Sequence, residues 1–181
     1  MSDFRAAYLA DIRVQFEKLK RTVEAAIAQV DDAGFFASPD VENNSIAINL
    51  KHMGGNLRSR FAGFLDADGE KPDRDRDGEF EIRTGETRSV ILEGWEAGWA
   101  TLFAALDALR PDDVLRTVRI RAEALSVLQA LDRALGHQAY HVGQVVLLAR
   151  HYSGPSWKTL TIPRGQSAAF LAKMQAKAGA Q

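Results

Sequence analysis

Apolar residues recur at steps of three and four along four long stretches of this 181-residue chain. This periodicity is typical of amphipathic α-helices, each of which must bury its apolar side against another element. Four such helices predict an all-α fold, a four-helix bundle, because their apolar sides can cover one another. The predicted helices span residues 3–30, 44–65, 86–109 and 127–152.

Capping residues mark the expected ends of these helices and of a shorter one near the C-terminus. Asn44 or Ser45 can accept a hydrogen bond from the first turn of the second helix, and Ser126 can do so for the fourth. Gly34 is expected to end the first helix in a left-handed conformation. Ser167 is expected to cap a short helix close to the end of the chain.

Two segments between the predicted helices have a different character. Residues 66–85 are the most polar part of the chain, with charges of alternating sign, and we interpret them as a long surface loop. Part of that loop could instead cover the mouth of a pocket, through Arg74, Asp75, Arg76 and Asp77. Residues 114–126 alternate in a way typical of strands, which predicts a small hairpin or an extended stretch.

Composition limits the classes of protein to which the chain can belong. A net charge of −1 gives no electrostatic reason to expect a nucleic-acid or membrane-surface partner. The N-terminal residues lack the apolar core of a signal peptide, so we expect a cytoplasmic protein, folded as a single domain over residues 1–181. With no cysteine, the chain has neither a thiolate metal ligand nor a cysteine nucleophile.

The fourth predicted helix carries His137 and His141 in an otherwise apolar run. At 100° per residue the two imidazoles lie about 40° apart on one face, within reach of a single ion. Small residues, Ala130 and Ala134, share that face and leave volume beside it. His151 is rotated well off the face and sits near the helix end, where we interpret it as a surface or capping residue.

A third ligand is expected on the second helix, because two histidines alone hold a metal weakly. His52 is the best candidate, since it shares a face with uncharged polar residues that would suit the lining of a pocket: Ser45, Asn49, Asn56 and Ser59. Paired histidines at this spacing also occur in helices that bind nothing, so the three residues could equally be ordinary core or surface side chains.

Two glycine pairs indicate places where the backbone of a helix can be approached closely. Gly54 and Gly55 each cost about 1 kcal/mol relative to alanine in a helix, which favours close helix packing or room for a ligand there. The other pair belongs to a stripe of the fourth helix that could face an internal neighbour or a dimer partner: Gly136, Tyr140, Gly143 and Leu147.

Several ordered segments of the chain resemble the DinB/YfiT-like superfamily, in particular one of its bacterial subfamilies without an assigned reaction. The segments are SIAINLKHMGGNLRSRF, RDRDGEFE, HQAYHVGQVVLLARHY and WKTLTIPRGQS. The resemblance implies a four-helix bundle with a long crossover loop, often dimeric. It also implies a divalent metal held by one histidine of the second helix and two of the fourth, which correspond to His52, His137 and His141. Members of the superfamily include thiol-dependent transferases and isomerases that use bacillithiol or mycothiol.

A site of three neutral imidazoles leaves an open position on the metal, as catalytic sites do. We therefore expect a Zn, Ni, Mn or Fe ion that activates water or an external low-molecular-weight thiol toward a small-molecule substrate. Between the paired histidines stands Gln138-Ala139-Tyr140 with no acid, which disfavours a zincin-type protease. Gln144 and Asn56 are candidates for contact with the ligands or substrate, Tyr140 is not, and no general base is apparent.

Two other functions are compatible with the same residues. The chain could be a non-catalytic metal- or ligand-binding protein related to stress, or a helical bundle whose histidines bind no metal. The expected partners are a small molecule and a second copy of the chain in a homodimer, with no nucleic acid and no membrane.

Overall fold

The computed structural model describes residues 4–179 and is mostly α-helical. All four long predicted helices are present, although each is somewhat shorter than the sequence pattern indicated at one or both ends, except the fourth. They are α1 (Phe4–Ile27), α3 (Ile46–Phe61), α4 (Arg88–Ala108) and α5 (Val127–Ser153). Two shorter helices, α2 (Asp32–Phe36) and α6 (Ser167–Ala178), complete the set in the described part of the chain.

The four long helices pack around one apolar core. Helix α1 contacts α5 and α4, and α3 contacts α4 and α5, so each long helix has two long neighbours. Trp95 and Trp99 of α4 are buried in this core. Across residues 4–179, no helix has the length and apolar character needed to cross a membrane.

Of the predicted helix caps, two are confirmed and two are wrong, and one helix ends earlier than predicted. The hydroxyls of Ser45 and Ser126 accept hydrogen bonds from the first turns of α3 and α5, as predicted. Gly34 does not end α1: it lies inside α2, where its backbone N–H donates to the carboxylate of Asp31. Ser167 is the first residue of α6 rather than its cap. Helix α3 stops at residue 61, four residues early, and Gly63 then turns the chain with a φ of 60°.

Glycines bring α3 and α4 into backbone contact. A Cβ added at Gly54 would lie 2.8 Å from the carbonyl oxygen of Gly94, and one added at Gly98 would lie 2.5 Å from the carbonyl oxygen of Gly54. Both distances are well inside van der Waals contact, so any side chain at either position would force the helices apart. Close helix packing, one of the two predicted roles of the Gly54–Gly55 pair, is therefore confirmed for its first member.

The strand-like segment forms a hairpin of two antiparallel strands, β1 (Thr117–Ile120) and β2 (Glu123–Ser126). Arg121 and Ala122 occupy the two-residue turn with positive φ values of 55° and 62°. The carboxylate of Asp68 accepts the backbone N–H of both turn residues at 2.8 Å, which stabilises this uncommon conformation for residues with a Cβ. The hairpin is thereby fixed to the segment that follows α3.

The polar segment 66–85 is only partly the surface loop that the sequence predicted. A short 3-10 helix, Asp77–Phe80, folds back against α3, and its Glu79 is buried. The side chain of Arg74 is only 3% exposed. Asp75 and Asp77 remain at the solvent, so the expectation of a surface loop is wrong for Arg74 and Glu79 and correct for these two acids.

Candidate metal centre

Three histidines meet where α3 faces α5. His52 comes from the middle of α3, and His137 and His141 lie one turn apart on α5. The Nε2 atoms of His52 and His137 are 3.2 Å apart, and one ring nitrogen from each of the three histidines lies within 4.8 Å of the others. The structure thus brings together the three residues selected from the sequence, and the group could hold a metal ion.

His52 is oriented by a buried carboxylate. Its Nδ1 lies 2.8 Å from Oε2 of Glu79, and because an ionised carboxylate only accepts hydrogen bonds, the imidazole proton sits on Nδ1. The Nε2 lone pair of His52 is then directed toward the other two histidines. A histidine held in this way by a carboxylate is the usual partner of a metal ion in proteins, because the carboxylate fixes the tautomer and raises ligand basicity.

Glu79 is itself held by Arg74 in a two-pronged ion pair. Nε and Nη2 of Arg74 donate to the two carboxylate oxygens of Glu79, each at 2.8 Å. Burial raises the pKa of Glu79, but the hydrogen bonds from His52 and Arg74 outweigh it and leave the pKa below its ordinary value. Glu79 is therefore ionised near neutral pH, as its role toward His52 requires.

The second glycine of the Gly54–Gly55 pair makes room for this carboxylate. A Cβ at Gly55 would overlap the side chain of Glu79, with its Cδ at 2.7 Å. No local pattern distinguishes Glu79 from the other acids of the polar loop, so its role was not predictable from the sequence. The glycine one turn from His52 was the single signal that a side chain from elsewhere enters at this point.

His141 is oriented by two amide oxygens. Its Nδ1 lies 2.9 Å from Oδ1 of Asn49 and 2.9 Å from Oε1 of Gln144. The amide of Asn49 is fixed in turn, because its Nδ2 donates to the carbonyl oxygen of Ser45 at 2.9 Å. The proton of His141 is thus on Nδ1 and its Nε2 is available as a ligand. Gln144 was selected from the sequence for such a contact.

His137 has a different environment. Its Nδ1 is buried and has no hydrogen-bond partner among residues 4–179. Burial, and then the charges of neighbouring His141, His52, Arg60 and Arg74, lowers its pKa to about 3. Burial, followed by the charge of His52, likewise lowers the pKa of His141 to about 4. Both imidazoles are neutral near pH 7, which is the form that binds a metal.

The spacing of the nitrogens suits a small divalent ion. Zinc binds histidine nitrogen at about 2.0–2.1 Å, so two nitrogens on a tetrahedral ion stand roughly 3.4 Å apart. The 3.2 Å between His52 and His137 is close to that value, and a ring nitrogen of His141 lies within 4.8 Å of a nitrogen of each. The residues present therefore fit a metal held by three imidazoles.

Other candidates from the sequence lie in different places. Asn56 is buried and lines a cavity of about 210 Å³ that also borders His52 and His137. His151 is exposed near the end of α5, as expected. Tyr140 is 65% exposed on the outer side of α5. Gln138, between the paired histidines, is fully buried, and its side-chain amide has no hydrogen-bond partner within residues 4–179.

A mostly helical chain with three converging histidines, two of them oriented by buried acceptors, defines a small helical protein with a possible metal site. Residues 3–166 match the model of a family described as "Protein of unknown function (DUF1572)", and the chain belongs to this family. The family is a DinB-like one. No curated protein and no solved structure matches the chain.

Proposed function

We propose that the protein is a metal-dependent enzyme of the DinB type, a four-helix bundle that acts on a small molecule through His52, His137 and His141. The observation that carries this proposal is that hydrogen-bond acceptors orient two of the three histidines. Glu79 holds His52, and Asn49 with Gln144 holds His141, so that two Nε2 lone pairs point into one volume. Hydrogen-bond acceptors behind neighbouring histidines are typical of histidines that bind one metal ion.

A divalent ion in this site would lower the pKa of a coordinated water or thiol and polarise a substrate. The chain supplies the rest of the arrangement. The imidazoles of His137 and His141 are neutral near pH 7, and Arg74 with Glu79 fixes the tautomer of His52. The adjoining cavity of about 210 Å³ has room for a small substrate. Because the chain has no cysteine, thiol chemistry would use an external low-molecular-weight thiol.

One observation favours a second candidate, a non-catalytic metal- or ligand-binding protein. Within residues 4–179, the cavity wall next to the histidines has no carboxylate, lysine, tyrosine or hydroxyl side chain. Both carboxylate oxygens of Glu79 are already hydrogen-bonded, to His52 and to Arg74. A catalytic route that needs a general base therefore finds no side chain in this wall to accept the proton, whereas binding alone needs no base.

Measuring metal content by mass spectrometry tests the metal site. The protein carries no tag and is purified without a metal-chelate column. We expect close to one equivalent of divalent metal in the wild type and almost none in His52→Ala, His137→Ala and His141→Ala. His151→Ala is the matched control, since it removes an exposed histidine of α5 outside the cluster. Wild-type protein that holds no metal and takes up no added Zn²⁺, Ni²⁺, Mn²⁺ or Fe²⁺ would refute the proposal.

A second experiment separates the enzyme from the binding protein. Co²⁺-substituted protein is titrated with small thiols and followed by its visible absorption spectrum. We expect new absorption from a cobalt–thiolate bond, and consumption of the thiol when an electrophile is added. A bound metal with an unchanged spectrum would exclude the thiol reaction. Thiol binding without turnover of any electrophile would support the non-catalytic candidate.

A further inference from the structure

Five arginines line the cavity beside the histidines, and no acidic residue does so within the described chain. Two of the arginine side chains are deep in the structure, Arg60 at 11% exposed and Arg74 at 3%. The other three stand at the cavity mouth and are about half exposed: Arg76, Arg121 and Arg133. Neither the charge of the whole chain nor its local pattern indicated this concentration of positive charge.

None of the carboxylates that pair with these arginines lines the cavity within the described residues. Glu70 accepts from both terminal nitrogens of Arg60 at 3.1 Å and from Nε of Arg121 at 2.7 Å. Glu79 accepts from Arg74, as described above. These two acids are the only buried or half-buried partners in residues 4–179, and they compensate the deeper part of the cluster.

The arginines at the mouth retain unused donors. Nε of Arg121 is engaged by Glu70, but its two terminal nitrogens have no hydrogen-bond partner in residues 4–179. Arg76 makes only a 3.9 Å contact with Asp77, whose side chain is fully exposed, and its guanidinium stacks over Phe80. Arg133 uses one nitrogen, for Glu123, which is also well exposed. Solvent screens both of these outer pairs.

The remaining wall is apolar. It is formed by side chains from the end of α3, from the hairpin and from the small-residue face of α5: Phe61, Phe64, Ile120, Ala130 and Ala134. A ligand that fits this cavity has a short apolar body and an anionic group. Guanidinium forks match the planar geometry of carboxylate and phosphate, to which they donate two parallel hydrogen bonds.

We propose that the cavity binds a small organic anion, whose carboxylate or phosphate group is held by Arg76, Arg121 and Arg133 with its apolar body toward the histidines. As a statement about the substrate of the enzyme, this inference rests on the proposed function. As a statement about binding, it depends only on the arginines and the cavity, and it is therefore tested on metal-free protein.

Isothermal titration calorimetry of chelator-treated protein in 150 mM salt tests the proposal. The probes are hexanoate, hexyl phosphate and inorganic phosphate, with hexanamide as the neutral match for hexanoate. We expect hexanoate or hexyl phosphate to bind and hexanamide not to bind. Preference between the first two assigns the anionic group. Binding of inorganic phosphate as tight as that of hexyl phosphate would remove the apolar part of the proposal.

Two substitutions make the test specific. We expect Arg76→Gln and Arg121→Gln each to weaken binding about tenfold or more, the effect of losing one charge-assisted hydrogen-bond donor. Arg119→Gln and Arg150→Gln are the matched controls, since both are exposed arginines outside the cavity wall, on β1 and α5. Equal affinity in all four variants would overturn the proposal.

The outcomes are separable from those of the metal experiment. Anion binding to metal-free protein that the arginine variants weaken supports the cavity even if no metal is ever found. Absence of any anion binding to metal-free protein, with metal uptake intact, overturns the cavity proposal and leaves the metal site standing. Anions that bind only after metal is added, with no effect of the arginine variants, are metal ligands and also overturn it.

Discussion

Glu79 is the residue that links the histidine cluster to the rest of the protein, because it contacts His52 on one side and Arg74 on the other. Glu79→Gln removes the negative charge and leaves the guanidinium of Arg74 buried with weaker partners. We expect metal affinity to fall about 10- to 100-fold, the usual effect of losing a carboxylate behind a ligating histidine. We also expect unfolding free energy to fall by about 3 kcal/mol. Competition with a chromophoric chelator and urea denaturation measure the two effects.

Glu81→Gln is the control for this substitution, because Glu81 lies two residues along the same loop and is exposed. It should change neither quantity. If Glu79→Gln destabilised the fold but left metal affinity at the wild-type value, the carboxylate would serve Arg74 alone and not the orientation of His52.

The buried side-chain amide of Gln138 lowers the unfolding free energy. It is fully buried and lies between His137 and His141 in sequence, yet its amide has no hydrogen-bond partner in residues 4–179. Gln138→Leu removes the unsatisfied group and keeps the volume, so we expect unfolding free energy to rise by about 1–2 kcal/mol. Metal content should not change. A destabilised variant would show that the amide has a partner, such as an ordered water, that the substitution removes.

The low pKa values of His137 and His141 predict how stability depends on pH in metal-free protein. Below the ordinary histidine pKa of 6.5 the unfolded chain takes up protons at these positions, whereas the native chain, with pKa values of about 3 and 4, does not. Their contribution to the unfolding free energy is therefore fully present above pH 6.5 and is lost as the pH falls toward 4. The slope is at most about 1.4 kcal/mol per pH unit for each histidine.

Urea denaturation of chelator-treated protein at pH 7.5, 6.0 and 5.0 measures this slope. His137→Asn and His141→Asn lack one ionisable group each, and each should have a shallower dependence than the wild type. A wild-type stability that stays constant between pH 7.5 and 5.0 would mean that these imidazoles are protonated in the native state.

At the scale of elements, the glycines of α3 perform different tasks that substitution can separate. Gly54→Ala pushes against backbone atoms of α4, so we expect a loss of about 1–3 kcal/mol in unfolding free energy. Gly55→Ala instead displaces the carboxylate of Glu79, so we expect roughly tenfold weaker metal binding and a smaller loss of stability. Gly94→Ala is the control, because a Cβ there meets nothing within 4 Å.

Urea denaturation and metal titration of the three variants distinguish the packing role of Gly54 from the effect of Gly55 on Glu79. Gly94→Ala should be neutral or stabilising, as expected for alanine in an exposed helix position. Equal loss of metal affinity in Gly54→Ala and Gly55→Ala would show that the site responds to the spacing of α3 and α4 and not to Glu79 itself.

Helices and most of the histidine cluster were predictable from the sequence, because both depend on local periodicity. The spacing of His137 and His141 places them on one face of α5 whatever surrounds the helix, and Ser126 caps it locally. The contact between Glu79 and His52 joins residues 27 positions apart through a loop without periodic pattern. Its geometry depends on burial of the Arg74 pair, which no local rule encodes. For the same reason the 3-10 helix that carries Glu79 was missed.

At the scale of the whole molecule, the glycine stripe of α5 remains without an internal neighbour. A Cβ at Gly136 or at Gly143 would meet nothing within 4 Å, and the intervening Tyr140 and Leu147 are 65% and 70% exposed. Of the two roles considered for this stripe, contact with an internal helix is wrong for the described residues. Exposed large apolar side chains beside glycines are compatible with close approach of a second helix from another molecule.

We therefore propose that the protein forms a homodimer through this face of α5, and light scattering coupled to size-exclusion chromatography tests it. The wild type should have twice the mass of one chain at tens of micromolar concentration. Leu147→Glu places a charge on this face and should yield the monomer, because a charge buried in an interface without a partner is strongly unfavourable. Val41→Glu is the control, since Val41 is 98% exposed in the connection before α3. A wild type that elutes as a monomer, or a Leu147→Glu variant that stays dimeric, would place the stripe outside any interface.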